Sequence, residues 1–153
     1  GYGHTTALHC AASNGHDACL TTLLDNDADV TIKNIKGQTP LHCAAASNHL
    51  SCVQKLLAHN PAIVHATDTR GQTALHYAAA FGAIPCIKEL IAHGALCNAC
   101  DEYCLKPEDI ARKKEKHYIA RYLQKARERQ ETEAEEEARM NADIVAFMKI
   151  EIN

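Results

Sequence analysis

The sequence predicts an all-α solenoid of about four helix–turn–helix units with connecting hairpin loops, followed by a C-terminal helical extension. Three observations predict it. One phrase recurs as Thr6-Ala7-Leu8-His9, Thr39-Pro40-Leu41-His42 and Thr73-Ala74-Leu75-His76, its leucines 33 and then 34 residues apart. Seven residues past each leucine stands Gly15, Asn48 or Gly82, residue types that accept the left-handed conformation ending a helix. Apolar residues then follow at helical spacing: Cys19, Leu20, Leu23 and Leu24; Cys52, Val53, Leu56 and Leu57; Cys86, Ile87, Leu90 and Ile91. A period of this length marks architectures in which each unit buries its apolar face only by stacking on its neighbours.

The units run in order at about 4–36, 37–70, 71–103 and 104–127. Unit one carries the phrase in His4–Ala12 but has no glycine in register before it. Units two and three match closely, from Gly37-Gln38-Thr39 to Ala44-Ala45 and from Gly71-Gln72-Thr73 to Ala78-Ala79. Their threonines precede a helix as N-cap hydroxyls, and Pro40 fits a first turn, where its missing N–H costs nothing. The alanine pairs let neighbouring helices approach closely, while Gly37 and Gly71 supply positive φ at a hairpin turn. His42 and His76 are placed to tie adjacent loops by hydrogen bonds.

These units resemble the ankyrin repeat, with its Thr-Pro-Leu-His-x-Ala core. The resemblance covers roughly residues 4–127 and implies antiparallel helix pairs with hairpins projecting at a right angle to them. Unit four departs from the pattern. Where the register predicts leucine at 108, the chain reads Lys106-Pro107-Glu108-Asp109-Ile110-Ala111, so the proline and Ala111 are retained, Asp109 replaces the histidine and charged residues replace the alanines that follow. Ile119 to Leu123 then restore the second helix. A terminal unit has one neighbour, and its polar outer face suits a C-terminal cap. Unit one is not polar in that way, and the chain is expected to be a piece of something longer.

With 16 basic and 19 acidic residues the net charge is −3, which gives no overall bias toward nucleic acid or membrane; neither is expected as a partner. No apolar run reaches the length of a membrane span, and no secretory signal is visible. The eight cysteines largely follow the repeat. Cys19, Cys52 and Cys86 share one position, and Cys10 and Cys43 share another with Tyr77 and Ile110. They read as small buried hydrophobes a whole repeat apart, about 10 Å and beyond disulfide reach. Reduced thiols point to a cytoplasmic or nuclear setting.

Cys97, Cys100 and Cys104, with His93 nearby, have the residue types of a zinc or redox site. The register opposes convergence: Cys97 aligns with buried Val30 and Val64, Cys100 falls on a hairpin arm, and Cys104 takes the turn-glycine position. No metal or other cofactor is expected. Most of the ten histidines occupy repeat positions, and no nucleophile elbow, phosphate loop or carboxylate pair appears, so no enzymatic activity is expected.

Residues 106–127 carry eight basic and three acidic side chains, whereas 128–139 carry six acidic and two basic. The basic run reads as a solvated cap or a site for an acidic partner. The Ala- and Glu-rich run favours a helix projecting as an exposed rod. Residues 141–152 are too apolar to stay wet comfortably. They would fold back, self-associate, pair with another chain or lead into another domain, and Met148, Ile150 and Ile152 would also suit a strand.

The resemblance places partner contacts at hairpin tips and on the exposed part of each first helix. Those positions are Lys33, Ile35, Lys36 and Gln38; Ser47; Thr69, Arg70 and Gln72; Phe81; Glu102 and Tyr103; and Lys113 and Lys114. Aromatic side chains and arginine are the usual energetic anchors, which singles out Phe81, Tyr103 and Arg70, with Ile35 beside them. The expected function is non-catalytic protein–protein recognition, as a scaffold or adaptor offering a concave, hairpin-fringed face. Two alternatives are a regulatory or targeting module of a larger protein, and a metal or redox sensor built on Cys97, Cys100 and Cys104.

Overall fold

Each recurrence of the phrase starts a helix. The computed structural model describes residues 3–152. In it α1 (Ala7–Asn14), α3 (Pro40–Ala46), α5 (Ala74–Phe81) and α7 (Pro107–Lys113) are the first helices of the four units. Their partners are α2 (Asp17–Asp25), α4 (Leu50–His59), α6 (Ile84–Ala92) and α8 (His117–Ile152). First helices stack on first helices throughout, α2, α4 and α6 stack in turn, and α8 packs on α7, so the core runs continuously through the array. Leu8, Leu41 and Leu75 are buried in it, with alanine pairs such as Ala44-Ala45 between stacked helices. Among the described residues there is no strand.

The turns between paired helices need a left-handed residue, and the chain supplies one in each unit: Gly15 at φ 68°, Asn48 at 59°, Gly82 at 73° and Glu115 at 59°. Unit two is one residue longer than unit one, and a 3-10 turn at Pro61–His65 absorbs the extra residue. It keeps Val64 in the buried place that Val30 and Cys97 hold in the flanking units.

The histidines of the phrase act at both ends of their rings. In α3, His42 Nδ1 accepts the Thr39 backbone N–H at 3.1 Å, and Nε2 lies 2.9 Å from the Gln72 carbonyl of the next hairpin. A carbonyl only accepts, so the proton sits on Nε2. His9 and His76 repeat the arrangement, reaching Gln38 O at 2.8 Å and Leu105 O at 3.0 Å. Burial dominates the titration of His42 and lowers it to about 4, and it lowers His76 as well. Both rings are therefore neutral near pH 7, as the N–H bonds that their Nδ1 atoms accept require. In unit four Asp109 keeps the capping half of the job, its carboxylate accepting the Lys106 N–H at 2.9 Å, but it has no ring nitrogen to extend to a further hairpin.

The cap holds a buried charge. Glu108, in the leucine position, is only 4% exposed. Its Oε1 accepts from Arg127 Nε of α8 at 3.1 Å, whereas Oε2 has no hydrogen bond and lies 3.7 Å from Arg112. Arg112 and Arg127 are thus engaged inside the cap rather than free on a basic surface.

One turn further along α8, Gln130 donates to Ala95 O at 2.9 Å and accepts the Cys97 N–H at 3.0 Å, clamping the helix to the loop before unit four. Beyond it, 131–151 are exposed throughout. Residues 148–152 are helical, not a strand. The helix arriving from Glu133–Arg139 is already nucleated, and adding a residue to it costs less than starting a new element.

Two cysteine expectations need correction. Cys52 and Cys86 are buried, with Cys52 Sγ 3.3 Å from Asp17 and Cys86 Sγ 3.7 Å from Asn48 of the preceding unit. Cys19 is exposed, because among the described residues no repeat stands before unit one to cover that position. Cys10 is also exposed and Cys43 half-buried. The position after the histidine belongs to a groove rather than to the core.

Candidate functional site

Three hairpins share one construction, and the first two form one wall of the site. Asn34, Asp68 and Asp101 each open a hairpin, and each uses Oδ1 to accept two backbone N–H groups, two and four residues on, at 2.8–3.0 Å. This is the turn-forming chemistry of short polar side chains. It buries all three at 6–8% exposure, although the sequence suggests partner-facing tips there. Gly37 at φ 74° and Gly71 at φ 76° then close their turns, and in the third hairpin Cys104 does so at φ 60°. Neighbouring hairpins bond directly, Thr69 N donating to Lys36 O at 3.1 Å and Glu102 N to Arg70 O at 2.8 Å.

A ladder of side chains runs beneath the tips. Asn34 donates to Gln38 at 2.9 Å, Gln38 to the Tyr77 hydroxyl at 3.1 Å, and Tyr77 to Asp68 at 2.6 Å; Gln72 in turn donates to Asp101 at 3.1 Å. Tyr77 also sets its ring edge-on to His42, with centroids 5.2 Å apart. Burial, and then the bond to Asp68, push the Tyr77 phenol up to about 12, so it remains a donor at neutral pH.

Between this wall and the first helices lies a cleft of about 490 Å³. Its floor is Tyr77, Ala80, Phe81 and Ile110, and its rim carries Lys36, Thr69, Arg70 and Lys114, with Gln38, Asp68 and Gln72 between. Phe81 is 64% exposed at the end of α5. Lys36, Arg70 and Lys114 make no ion pair among the described residues. The cleft therefore offers an apolar floor and a rim of three cations that outnumber its one carboxylate, Asp68, which suits a side chain or a backbone segment with carboxylates beside it.

Of the positions read from the sequence, Lys36, Gln38, Thr69, Arg70, Gln72, Phe81 and Lys114 share this cleft. Ile35, 78% exposed, lines a shallower groove over units one and two with Cys10 and Cys43. Lys33 is tied to Thr67 O at 2.6 Å and serves the hairpins. Ser47, Glu102, Tyr103 and Lys113 are exposed outside the cleft. Tyr77 and Ile110 were missed because their shared position, one letter after the histidine, reads as core. Its varied occupants, Cys10, Cys43, Tyr77 and Ile110, were the available signal.

Cys97 is buried, and burial, followed by the nearby Glu108 carboxylate, pushes its thiol up to about 11. Cys100 and Cys104 are exposed, and among the described residues no three metal-ligating side chains converge. No described helix is long and apolar enough to cross a membrane.

The family model for ankyrin repeats in three copies matches residues 8–101. The chain belongs to the ankyrin repeat family. Ankyrin repeats are in general modules of protein–protein interaction, and their fold is typically non-catalytic. A relative among characterised proteins is a transient receptor potential cation channel subfamily A member 1 homologue of Caenorhabditis elegans, 39% identical over 64 residues. That stretch is 42% of this chain but 5% of the channel homologue, so the ankyrin repeats here correspond to a small part of that protein.

Proposed function

We propose that this ankyrin domain is a non-catalytic recognition module, a scaffold or adaptor that binds a partner protein in the cleft between its hairpins and first helices. The observation that carries the reading is the convergence of Lys36, Arg70, Lys114 and Phe81, all at positions that vary between repeats, on one apolar-floored cleft. The structural letters of the repeat are spent on hairpins, caps and tethers; these four side chains have no such duty. Eight free cysteines fit work in the cytoplasm or nucleus. The brief match within a much longer channel homologue favours a second, compatible reading, in which the domain regulates or targets a larger protein.

The test is affinity capture from cell extract with wild type, Phe81→Ala and Arg70→Ala, each paired with an unfolding curve. A bound protein lost from both variants, with midpoints unchanged, supports the cleft as the site. Equal capture by all three removes it.

A further inference from the structure

The cleft and the tail of α8 are chemically complementary, and neither is satisfied within one molecule. We infer that the exposed stretch 131–151 of α8 docks in the cleft of a second copy of this chain, so that two copies exchange tails. The inference rests on reading the cleft as the recognition surface.

Charge supplies the first argument. Over 131–151 the helix carries seven carboxylates, Glu131, Glu133, Glu135, Glu136, Glu137, Asp143 and Glu151, against Arg139 and Lys149. The cleft rim carries Lys36, Arg70 and Lys114 without a carboxylate partner among the described residues. Opposed fields of this kind steer encounter and fix which surfaces meet.

Shape supplies the second. Met140, Ile144, Phe147 and Met148 fall at helical spacing on one side of α8 and are 50–64% exposed. A strip of large apolar side chains left in water is a surface awaiting cover, and the floor of Phe81, Ala80 and Ile110 is of the same character. Twenty-one residues of helix extend about 30 Å at 1.5 Å per residue. Three stacked repeats at about 10 Å each span the same distance, and the rim cations are spread along the array, Lys36 on the first hairpin, Arg70 on the second and Lys114 at the end of α7 in unit four.

Geometry within the molecule excludes the tail's own cleft. Arg127 on Glu108 and Gln130 on Ala95 and Cys97 hold α8 on the cap, and the continuing helix carries 131–151 clear of the body. Parallel pairing of two tails is the competing occupant. It would bring the glutamates of 131–137 from both copies together, where like charges on neighbouring helical positions repel. It would also leave the cleft cations unanswered.

Sedimentation velocity on the whole chain, from 1 to 300 µM on the order used for weak dimers, tests the exchange in 50 mM and 500 mM salt, two settings that separate screened from unscreened charge. The expected result is a concentration-dependent dimer whose dissociation constant rises about tenfold in the higher salt. Lys36→Glu/Arg70→Glu/Lys114→Glu should be monomeric, and so should Glu133→Lys/Glu136→Lys/Glu137→Lys. Mixing the two should restore the dimer, because each then meets its complement. All six positions are exposed, and circular dichroism confirms that both variants fold.

A wild type that stays monomeric at every concentration in low salt overturns the inference. So does a dimer that survives the cleft reversals, which would mean tail–tail pairing, or a mixture that fails to reassociate. If the chain is monomeric while Phe81→Ala and Arg70→Ala still abolish capture of another protein, the cleft reading stands and only tail exchange fails.

Discussion

Replacing Glu108 by leucine should make the protein more stable. The substitution restores the residue that three repeats use at this place, and the structure allows the effect to be sized. The Glu108 side chain is 5% exposed and meets Arg127 at 3.1 Å, while its second oxygen is buried without a hydrogen bond. At an effective dielectric near 20 the attraction over that distance is about 5 kcal/mol. Desolvating a carboxylate and most of a guanidinium costs several kcal/mol for each ion, so the pair as a whole is close to neutral. Leucine at the same site removes the desolvation cost and gains about 2 kcal/mol from burial. Arg127 is not stranded by the change, since it also meets the exposed Glu131 at 3.0 Å.

The net expectation for Glu108→Leu is about 1–3 kcal/mol of added stability, read as a urea midpoint raised by roughly 0.5–1 M. Arg127→Ala should do the opposite and cost about 2–4 kcal/mol, because it leaves the buried carboxylate alone; Arg112, half-exposed and 3.7 Å away, is too screened to replace it. A lower midpoint for Glu108→Leu would refute the reasoning. The ion pair would then be worth more than an apolar contact in this cap.

Three further outcomes follow from the same structure. Protonating His42 charges a buried ring and takes away the Nδ1 lone pair that accepts the Thr39 N–H, and its folded value of about 4 lies below its ordinary 6.5. Its contribution is therefore complete above pH 6.5 and is lost as pH falls toward 4, in all about 3 kcal/mol; His42→Gln should flatten the unfolding midpoint across that window, and an unchanged slope would contradict the assignment. Gly37→Ala should cost about 2–3 kcal/mol, since a Cβ there would sit 2.6 Å from Thr69 N at φ 74°, whereas Gly94→Ala, with nothing within 4 Å, should cost only about 1 kcal/mol for its own positive φ. Gln130→Ala should accelerate amide exchange at Cys97 and proteolysis near the start of the exposed rod, while exchange at Leu41 and Leu75 stays slow.

The fold was legible because every repeat states the same local rules in the same order. A threonine cap, a leucine in the core, a histidine tether and a left-handed turn can each be read from one residue. Glu108 was less legible because its meaning depends on Arg127, 19 residues away in another helix, and no local rule links them. The hairpin openers Asn34, Asp68 and Asp101 belong to an intermediate case. Their spacing to the following glycine or cysteine encodes the turn, but placing them by repeat register alone puts them at the variable tips. The cleft was half visible for a related reason. Phe81 and Arg70 stand out by residue type, whereas Tyr77 and Ile110 occupy a slot that small cysteines fill in units one and two, and only stacking shows that this slot faces outward.

The histidine tethers have a consequence for how such an array could grow. Each ring donates forward to the hairpin that follows, so units two and three are interchangeable links, and duplication of 37–70 would leave every donor with an acceptor. A unit added after the fourth would find a carboxylate where a donor is needed, facing a carbonyl that it repels. Asp109 thus works like a chain terminator in polymer synthesis: its unit accepts the preceding link through the Leu105 carbonyl, while Asp109 itself caps its own helix and offers no reactive end to the next.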